Sequence, residues 1–332
     1  MNEQCDNKDE EAAGKQEKVK QKLRWLRSHP EVTWSGAGVY ALSLIVAAAI
    51  ALASWYFWPE ASLPPEQNSA STTGGSAAAT NADQAKLQEV QLRYAKAAEY
   101  WQKAAALLPE GEKKDRAYYL HEAGYNLYRI SRYSEALPLY EQSLALYQEI
   151  NDRAGEGMTL NNIGLIYHAR GEYDTALKYL DQSLDISQEI GDKSQEGTTL
   201  NNIAGIYDAR GDYDTALKYL EQSLEIRQEI GDKAGEDNSL NNIGMIYQAR
   251  GDNAKALQYY KQSLAIQQEI GNRYGEAVTS WNIGWIYKDQ GDLAKAEQYI
   301  SRAVELAKAI DHPSLKEWRE GLAELRAEIK GR

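Results

Sequence analysis

A five-residue run recurs at a fixed interval and limits what this chain can fold into. The segment Leu160–Gly164 reads Leu-Asn-Asn-Ile-Gly, and it returns 40 residues later at Leu200–Ala204 and again at Leu240–Gly244. An altered fourth copy occupies Ser280–Gly284. A fixed period of about 20–50 residues indicates stacked copies of one supersecondary unit. Because each copy packs mainly on its neighbours, the sequence predicts an elongated array of repeats.

Each copy contains two amphipathic stripes separated by a break. The first stripe falls at i, i+3, i+4 and i+7, which is the spacing of one helix face, and comprises Leu160, Ile163, Gly164 and Tyr167. After the Arg170-Gly171 break, a second helix is predicted from Tyr173, and its inner face comprises Ala176, Leu180, Ser183 and Leu184. Each unit is therefore predicted to be a helix–turn–helix.

Glycine and aspartate mark where these helices end and begin. The break between the two helices reads Gly-Asp at 211–212, 251–252 and 291–292. Glycine supplies a turn there, and aspartate is a good N-cap for the second helix. The second helices are predicted to end at Ile-Gly at 190–191, 230–231 and 270–271, where glycine adopts the left-handed conformation.

The order small–Tyr–small–aliphatic within a unit resembles the tetratricopeptide repeat (TPR). The residues at that family's signature spacings are Gly164, Tyr167, Ala176, Leu180 and Ser183. The 40-residue length and the Asn-Asn-Ile core resemble kinesin light chains and bacterial peptide receptors. The resemblance implies an all-α fold, a right-handed TPR superhelix, with the first helices lining a concave groove. We expect five repeats, at 117–150, 157–190, 197–230, 237–270 and 277–310, between an N-terminal capping helix in 84–116 and a C-terminal capping helix in 311–332.

The segment before the array has the features of a membrane anchor. Residues 1–35 form a tail that is basic between Lys15 and Arg27, and no charged residue occurs from Val32 to Pro59. Residues 36–58 exceed the roughly 20 apolar residues that a spanning helix needs, and aromatic side chains lie at both ends. We predict a transmembrane helix at 36–58 and a flexible linker at 59–83, which is rich in Pro, Ser, Thr, Gly and Ala.

The excess of basic residues before the span predicts its orientation. The positive-inside rule places the N-terminus in the cytoplasm, so the array lies outside it, facing the periplasm at the inner membrane if the source is a bacterium. Ser43, Ala47 and Ala51 form a small-residue stripe that is compatible with pairing of two spans in a homodimer. Three alternatives stay open: a buried soluble helix, a signal peptide cleaved after Ala53, and an inverted topology that would leave the array in the cytoplasm.

The composition argues against several functions. A net charge of −12 disfavours nucleic-acid binding, which needs a basic stripe. The single cysteine forms no intramolecular disulfide. The four histidines are not spaced as metal ligands, and neither a phosphate loop nor a nucleophile elbow occurs. We therefore predict no enzyme, no metal and no cofactor.

The recurring asparagine pair is the main candidate for function, because asparagine is unfavourable inside a helix. We predict that the groove asparagines bind the backbone of an extended peptide, since a side-chain amide both donates to a C=O and accepts from an N–H. Helices packed about 8–10 Å apart would present one asparagine to about every third peptide residue. The family resemblance implies this role for Asn162, Asn202, Asn242 and Asn282, and with less weight for Asn161, Asn201 and Asn241. Two alternatives remain, that the pair is a relic of recent duplication and that Asn162 and its equivalents bind the backbone of a neighbouring helix.

Variable residues lie beside the asparagines on the same stripe and would read the peptide side chains. They are Leu165, His168, Asp208, Met245, Gln248, Trp285 and Lys288. Trp281 and Trp285 at one end, and Tyr125 with Tyr118 and Tyr128 at the other, are candidate anchors or packing residues of the caps. The predicted function is a membrane-anchored scaffold that binds a peptide or protein segment. The alternatives are a peptide-sensing receptor that signals through dimerisation of its spans and a chaperone-like accessory of secretion or envelope assembly.

Overall fold

The computed structural model describes residues 73–331. The predicted tail at 1–35, the predicted span at 36–58 and the first part of the predicted linker lie outside the described residues. From Thr73 to Gly331, no helix combines the length and apolar character that crossing a bilayer requires.

Thirteen α-helices and no strand make up residues 73–331. They are α1 Thr73–Val90, α2 Tyr94–Leu107, α3 Lys113–Arg129, α4 Tyr133–Glu149, α5 Arg153–Ala169, α6 Tyr173–Ile190, α7 Lys193–Ala209, α8 Tyr213–Glu229, α9 Lys233–Ala249, α10 Asn253–Glu269, α11 Arg273–Asp289, α12 Leu293–Ala309 and α13 Leu315–Gly331. The five predicted repeats correspond to the pairs from α3–α4 to α11–α12. Each helix packs on the next in sequence, as expected for an α-solenoid.

The predicted glycine and aspartate signals occupy the conformations expected of them. Gly191 ends α6 with φ +71°, and Gly211 precedes α8 with φ +77°. Asp212 caps α8 by accepting a hydrogen bond from the Thr215 N–H at 3.2 Å. A second set of caps was not predicted: Asp152 accepts from the Gly155 N–H at 3.0 Å. Because the equivalent residues Asp192, Asp232 and Asn272 do the same, the first helices begin four residues earlier than expected.

The N-terminal cap is a pair of helices, which corrects two predictions. Residues 73–83, predicted as flexible linker, belong to α1, and the single capping helix predicted in 84–116 is broken at Leu92, where φ is +57°. Ala78, Ala82 and Ala85 are buried. The Ala-rich segment therefore forms a helix because it packs against α2, although its composition is typical of a linker.

Small residues let the two helices of a repeat approach closely. A Cβ added to Gly164 would lie 2.8 Å from Leu180 Cγ, and one added to Gly244 would lie 2.8 Å from Tyr260 Cδ1. The first helices of successive repeats also contact one another directly, as α5 does with α7 and α7 with α9. Because the second helices are not in comparable contact, the array curves towards the first helices, which line its concave face.

The C-terminal helix α13 covers the last repeat. Trp318, Leu322 and Leu325 are buried, on the face that the sequence predicts to be apolar. Trp318 stacks on Trp281 with ring centroids 4.8 Å apart. The cap therefore shields the apolar end of the array from water.

Candidate functional site

The asparagine pairs of successive repeats are linked by hydrogen bonds across the concave face. Asn202 Nδ2 donates to Asn161 Oδ1 at 2.9 Å, and Asn242 Nδ2 donates to Asn201 Oδ1 at the same distance. The second asparagine of each pair therefore donates to the first asparagine of the preceding repeat. This resembles the open alternative of binding to a neighbouring helix, but the acceptor is a side chain rather than the backbone.

The first asparagine of the pair has a structural role at the start of this ladder. Asn161 is buried, and its oxygen also lies 3.4 Å from Thr199 Oγ1. Its Nδ2 donates to Asn162 Oδ1 at 3.3 Å. With both ends of its amide engaged inside the protein, Asn161 holds its neighbours in place rather than facing the groove.

The ladder ends in the first repeat at a buried histidine. Asn162 Nδ2 lies 2.8 Å from His121 Nε2. An amide N–H only donates, so Nε2 accepts this hydrogen bond and the ring N–H is on Nδ1. That nitrogen lies 3.3 Å from Glu122 Oε1 and donates to it. His121, which replaces the first asparagine in this repeat, thus performs the same accepting function.

The ladder is weaker towards the C-terminal end. Asn241 Oδ1 is 3.5 Å from Thr279 Oγ1, and Asn241 Nδ2 lies 3.6 Å from Met245 Sδ. Asn282 is hydrogen-bonded instead to the hydroxyl of Tyr260 on α10, the second helix of the preceding repeat. The regular pattern of donation therefore runs from α9 back to α3.

Two ladder asparagines, Asn202 and Asn242, keep hydrogen-bonding capacity towards the groove. A side-chain amide has two N–H donors and an oxygen with two lone pairs. Asn202 and Asn242 are half-buried, and each uses one N–H in the ladder. Among the described residues, no group donates to Asn202 Oδ1 or Asn242 Oδ1. These oxygens, and the second N–H of each amide, are available to a ligand in a fixed orientation.

A cleft of about 220 Å³ lies beside these amides, between α5, α7 and α9. It brings together seven residues predicted from the sequence, namely Leu165, His168, Asn201, Asn202, Asp208, Asn242 and Met245. Four further residues line it that were not predicted, Ala204, Gly205, Leu220 and Ile246. A sequence signal did exist for Gly205. The equivalent positions of the other copies hold Leu165, Met245 and Trp285, so this copy alone among the four lacks a side chain there.

Two titratable side chains line the cleft. Burial lowers the pKa of His168, so the imidazole is neutral at pH 7. The surrounding protein displaces water from Asp208 and raises the pKa of its carboxyl. No lysine, arginine or histidine of the described region forms an ion pair with Asp208. The cleft therefore combines an apolar floor, oriented amides and one carboxyl group without a cationic partner.

The other predicted residues lie outside this cleft. Gln248 Oε1 accepts from the Tyr260 hydroxyl at 2.8 Å, and Lys288 Nζ lies 4.2 Å from the ring centre of Trp285. Trp281 packs on α13, which favours the alternative that it is a packing residue of the cap. Tyr125, at the opposite end of the array, is 41% exposed beside Arg129. None of these residues lines the cleft, so their ligand contacts stay predictions.

Family models described as tetratricopeptide repeat match residues 121–189, 156–229 and 236–309, which together span more than half of the chain. The chain therefore belongs to the tetratricopeptide repeat family, as the repeat pattern predicted. No curated protein sequence matches it. The fold and the family together define an α-solenoid of tetratricopeptide repeats.

Solved structures share the fold at low sequence identity. A signal transduction ATPase with numerous domains from Pyrococcus horikoshii, which has a tetratricopeptide repeat sensor, matches with a TM-score of 0.62 and 18% identity, over 75% of this chain and 38% of that one. Aspartyl phosphate phosphatase F from Bacillus subtilis matches with a TM-score of 0.59 and 13% identity, over 76% and 71% of the two chains. A Rap protein complexed with competence and sporulation factor matches with a TM-score of 0.56 and 13% identity, over 77% and 76%.

Proposed function

We propose that the array binds an extended peptide, or an extended segment of a protein, along its concave face. The observation that carries the proposal is the ladder in which Asn161 and Asn201 orient the amides of Asn202 and Asn242 beside the cleft. An amide held in one orientation loses little side-chain entropy when it binds a ligand. Its free oxygen and N–H match the N–H and C=O of a peptide backbone. A similar fold in the Rap protein complexed with competence and sporulation factor supports this class of function.

The fixed spacing of the amides favours an extended ligand over a compact one. Asn202 and Asn242 lie at equivalent places on adjacent first helices, which pack about 8–10 Å apart in proteins. An extended chain rises about 3.3 Å per residue, so its backbone would meet a ladder amide at about every third residue. The intervening peptide side chains would then face the variable positions, such as Leu165 and Met245.

The second part of the proposal concerns location. The charge-free segment from Val32 to Pro59 and the preceding basic residues favour a single-pass anchor with the array outside the cytoplasm, at the inner membrane of a bacterium. Fusion of alkaline phosphatase to the C-terminus tests this, because that enzyme folds only outside the cytoplasm. We expect phosphatase activity in the membrane fraction. The proposed orientation is contradicted if the phosphatase fusion is inactive and a fluorescent protein fused to the same terminus fluoresces.

Peptide binding is tested by selection followed by a matched pair of variants. The full-length chain in detergent micelles is used to select binders from a random heptapeptide library, and affinities are measured by calorimetry. Asn202→Ala/Asn242→Ala removes the ladder amides. Gln182→Ala/Gln222→Ala is the control, because these exposed amides recur at the same 40-residue interval on the second helices.

We expect the asparagine double variant to bind a selected peptide roughly tenfold or more weakly, because it loses about two hydrogen bonds worth ~0.5–1.5 kcal/mol each. The glutamine control should bind like the wild type. The proposal is wrong if no peptide is selected, or if the two double variants bind equally well while circular dichroism shows both to be folded.

A further inference from the structure

The residue that directly follows the five-residue run differs between the copies, and in one copy it has no side chain. Positions 165, 245 and 285 hold Leu, Met and Trp, whereas position 205 holds Gly. Gly205 lies within α7 and has no positive φ that would require glycine. Glycine is also among the least favoured residues inside a helix. The conformation of the backbone therefore does not explain Gly205.

Close packing does not explain Gly205 either. A Cβ added to Gly164, Gly244 or Gly284 would lie 2.5–2.8 Å from a side chain of the second helix, so these glycines are required by the fold. A Cβ added to Gly205 would have a single neighbour, His168 Cε1, at 3.9 Å. The adjacent Ala204 fills the position facing α8 instead. Gly205 thus lies at the concave surface and leaves open space there.

That space is the cleft of about 220 Å³. A cavity of about 150 Å³ lined by apolar side chains holds one benzene molecule, so this cleft has room for one large side chain. It is smaller than the roughly 300–1,000 Å³ of pockets that enclose a whole small molecule. Its apolar walls include Leu165, Leu220, Met245 and Ile246. The side chain of Met245 is 49% exposed, which leaves it available to a ligand.

The charge of the cleft restricts what lies next to that side chain. His168 is neutral because burial lowers its pKa, whereas Asp208 has a carboxyl group without a cationic partner among residues 73–331. Because the Asp208 side chain is exposed, a lysine or arginine of the ligand can reach it and supply that partner. A carboxylate in the same place would be repelled.

We propose that Gly205 determines specificity by leaving a pocket for one large apolar side chain of the bound peptide, and that Asp208 selects a basic residue beside it. The proposal rests on the peptide-binding function proposed above and names the chemistry of its ligand. Position 205 would thereby give the third repeat a preference that the second, fourth and fifth repeats do not share, because their equivalent side chains occupy the corresponding space.

Pools of fluorescent nonapeptides test the preference of the full-length chain. The central residue of each pool is Leu, Phe, Ala or Asp. One of its two neighbours, before or after it, is fixed as Lys or as Glu. All other positions are randomised. We expect the Leu or Phe pools with Lys to bind at least tenfold more tightly than the Asp or Glu pools. If no pool binds, the peptide-binding function itself is wrong. If all pools bind with equal affinity, the peptide-binding function stands, and the proposed specificity of the pocket at Gly205 is wrong.

Filling the cleft provides the second arm. Gly205→Leu and Met245→Trp introduce side chains that occur naturally at this position in other copies, and Gly205→Ala is the control that adds only a methyl group. We expect both filling variants to bind the Leu–Lys pool at least tenfold more weakly and Gly205→Ala to bind it like the wild type. Asp208→Asn should reduce the preference for Lys over Glu at least threefold. Unchanged binding in both filling variants would overturn the proposal.

The methyl group of Met245 reports directly on occupation of the cleft. The chain has three methionines, Met1, Met158 and Met245, and the last is the one that lines the cleft. With ¹³C-methyl methionine, the Leu–Lys pool should shift the Met245 signal and leave the Met158 signal in place. Binding of the pool without a change at Met245 would show that the apolar side chain is seated elsewhere, and would overturn the proposal even if a filling variant fails to fold.

Discussion

Asn202 donates a hydrogen bond of 2.9 Å to Asn161, a residue 41 positions earlier in the chain and one repeat away. The same relationship joins Asn242 to Asn201. Because the period is 40 residues, the extra position means that in both cases the second member of one pair reaches the first member of the preceding pair. The duplicated Asn-Asn sequence thus connects neighbouring repeats and fixes the orientation of the amides that face the groove.

The first asparagine should matter for stability in proportion to its hydrogen bonds. Asn161→Ala removes a buried acceptor, and we expect the free energy of unfolding in urea to fall by about 1–3 kcal/mol. Asn241→Ala is the matched control, because its oxygen lies at 3.5 Å from its nearest donor and it receives no ladder bond. We expect the control to lose less than half as much. Equal losses would show that the ladder does not stabilise the array.

Glycine-to-alanine substitutions at adjacent places should have opposite signs. Gly205→Ala adds a methyl group in open space and removes the unfavourable glycine, so we expect up to about 1 kcal/mol of added stability. Gly164→Ala places a Cβ 2.8 Å from Leu180 Cγ, and we expect a loss of about 1–3 kcal/mol. Urea unfolding followed by circular dichroism measures both. A destabilised Gly205→Ala would contradict the open cleft.

A buried carboxyl group should make the stability depend on pH. Asp237 is 3% exposed and lies where two other copies have glycine. Burial raises the pKa of its carboxyl group, and a hydrogen bond of 2.6 Å from the Ser263 hydroxyl partly opposes that increase. Below the ordinary aspartate pKa of about 3.9, folded and unfolded chains both hold the proton. As the pH rises through the raised pKa, the unfolded chain releases its proton more readily, so the wild type loses stability.

Asp237→Asn removes this contribution and keeps an oxygen that accepts from Ser263. We expect the variant to gain stability relative to the wild type as the pH increases from 4 to 8, measured as the difference in urea midpoint. A constant difference across that range would show that the Asp237 carboxyl does not have a raised pKa.

The repeats and the cleft differ in how far the sequence determines them. Apolar periodicity and the Gly-Asp breaks predict the helix pairs, because a stripe such as Leu160, Ile163 and Tyr167 has only one face to bury. The helix α1 was missed because Ala, Thr, Gly and Asn in 73–83 are also typical of linkers, and only packing on α2 makes the segment helical. The cleft depends on which side chains of three helices meet, so the role of Gly205 required coordinates.

The C-terminal cap should stabilise the last repeat locally. Trp318 is buried and stacks on both Trp281 and His312. We expect Trp318→Ala to cost about 3–5 kcal/mol and to accelerate hydrogen exchange in α11–α13, while α3–α6 keep their protection because solenoid repeats contact only their neighbours. Tyr274→Ala, which removes a ring that is 58% exposed, is the control and should change exchange little. Uniform acceleration throughout the array would contradict this local role.

Site-specific photo-cross-linking in intact cells tests the central claim most directly. A photoreactive phenylalanine analogue replaces Asn238, which is exposed on α9 one helical turn before Asn242, or, as the control, exposed Gln222 on a second helix. The account predicts a defined adduct at position 238 that an excess of a selected peptide abolishes, and no such competition at position 222. An adduct at 222 alone, or one at 238 that the peptide does not displace, would contradict binding in the concave groove.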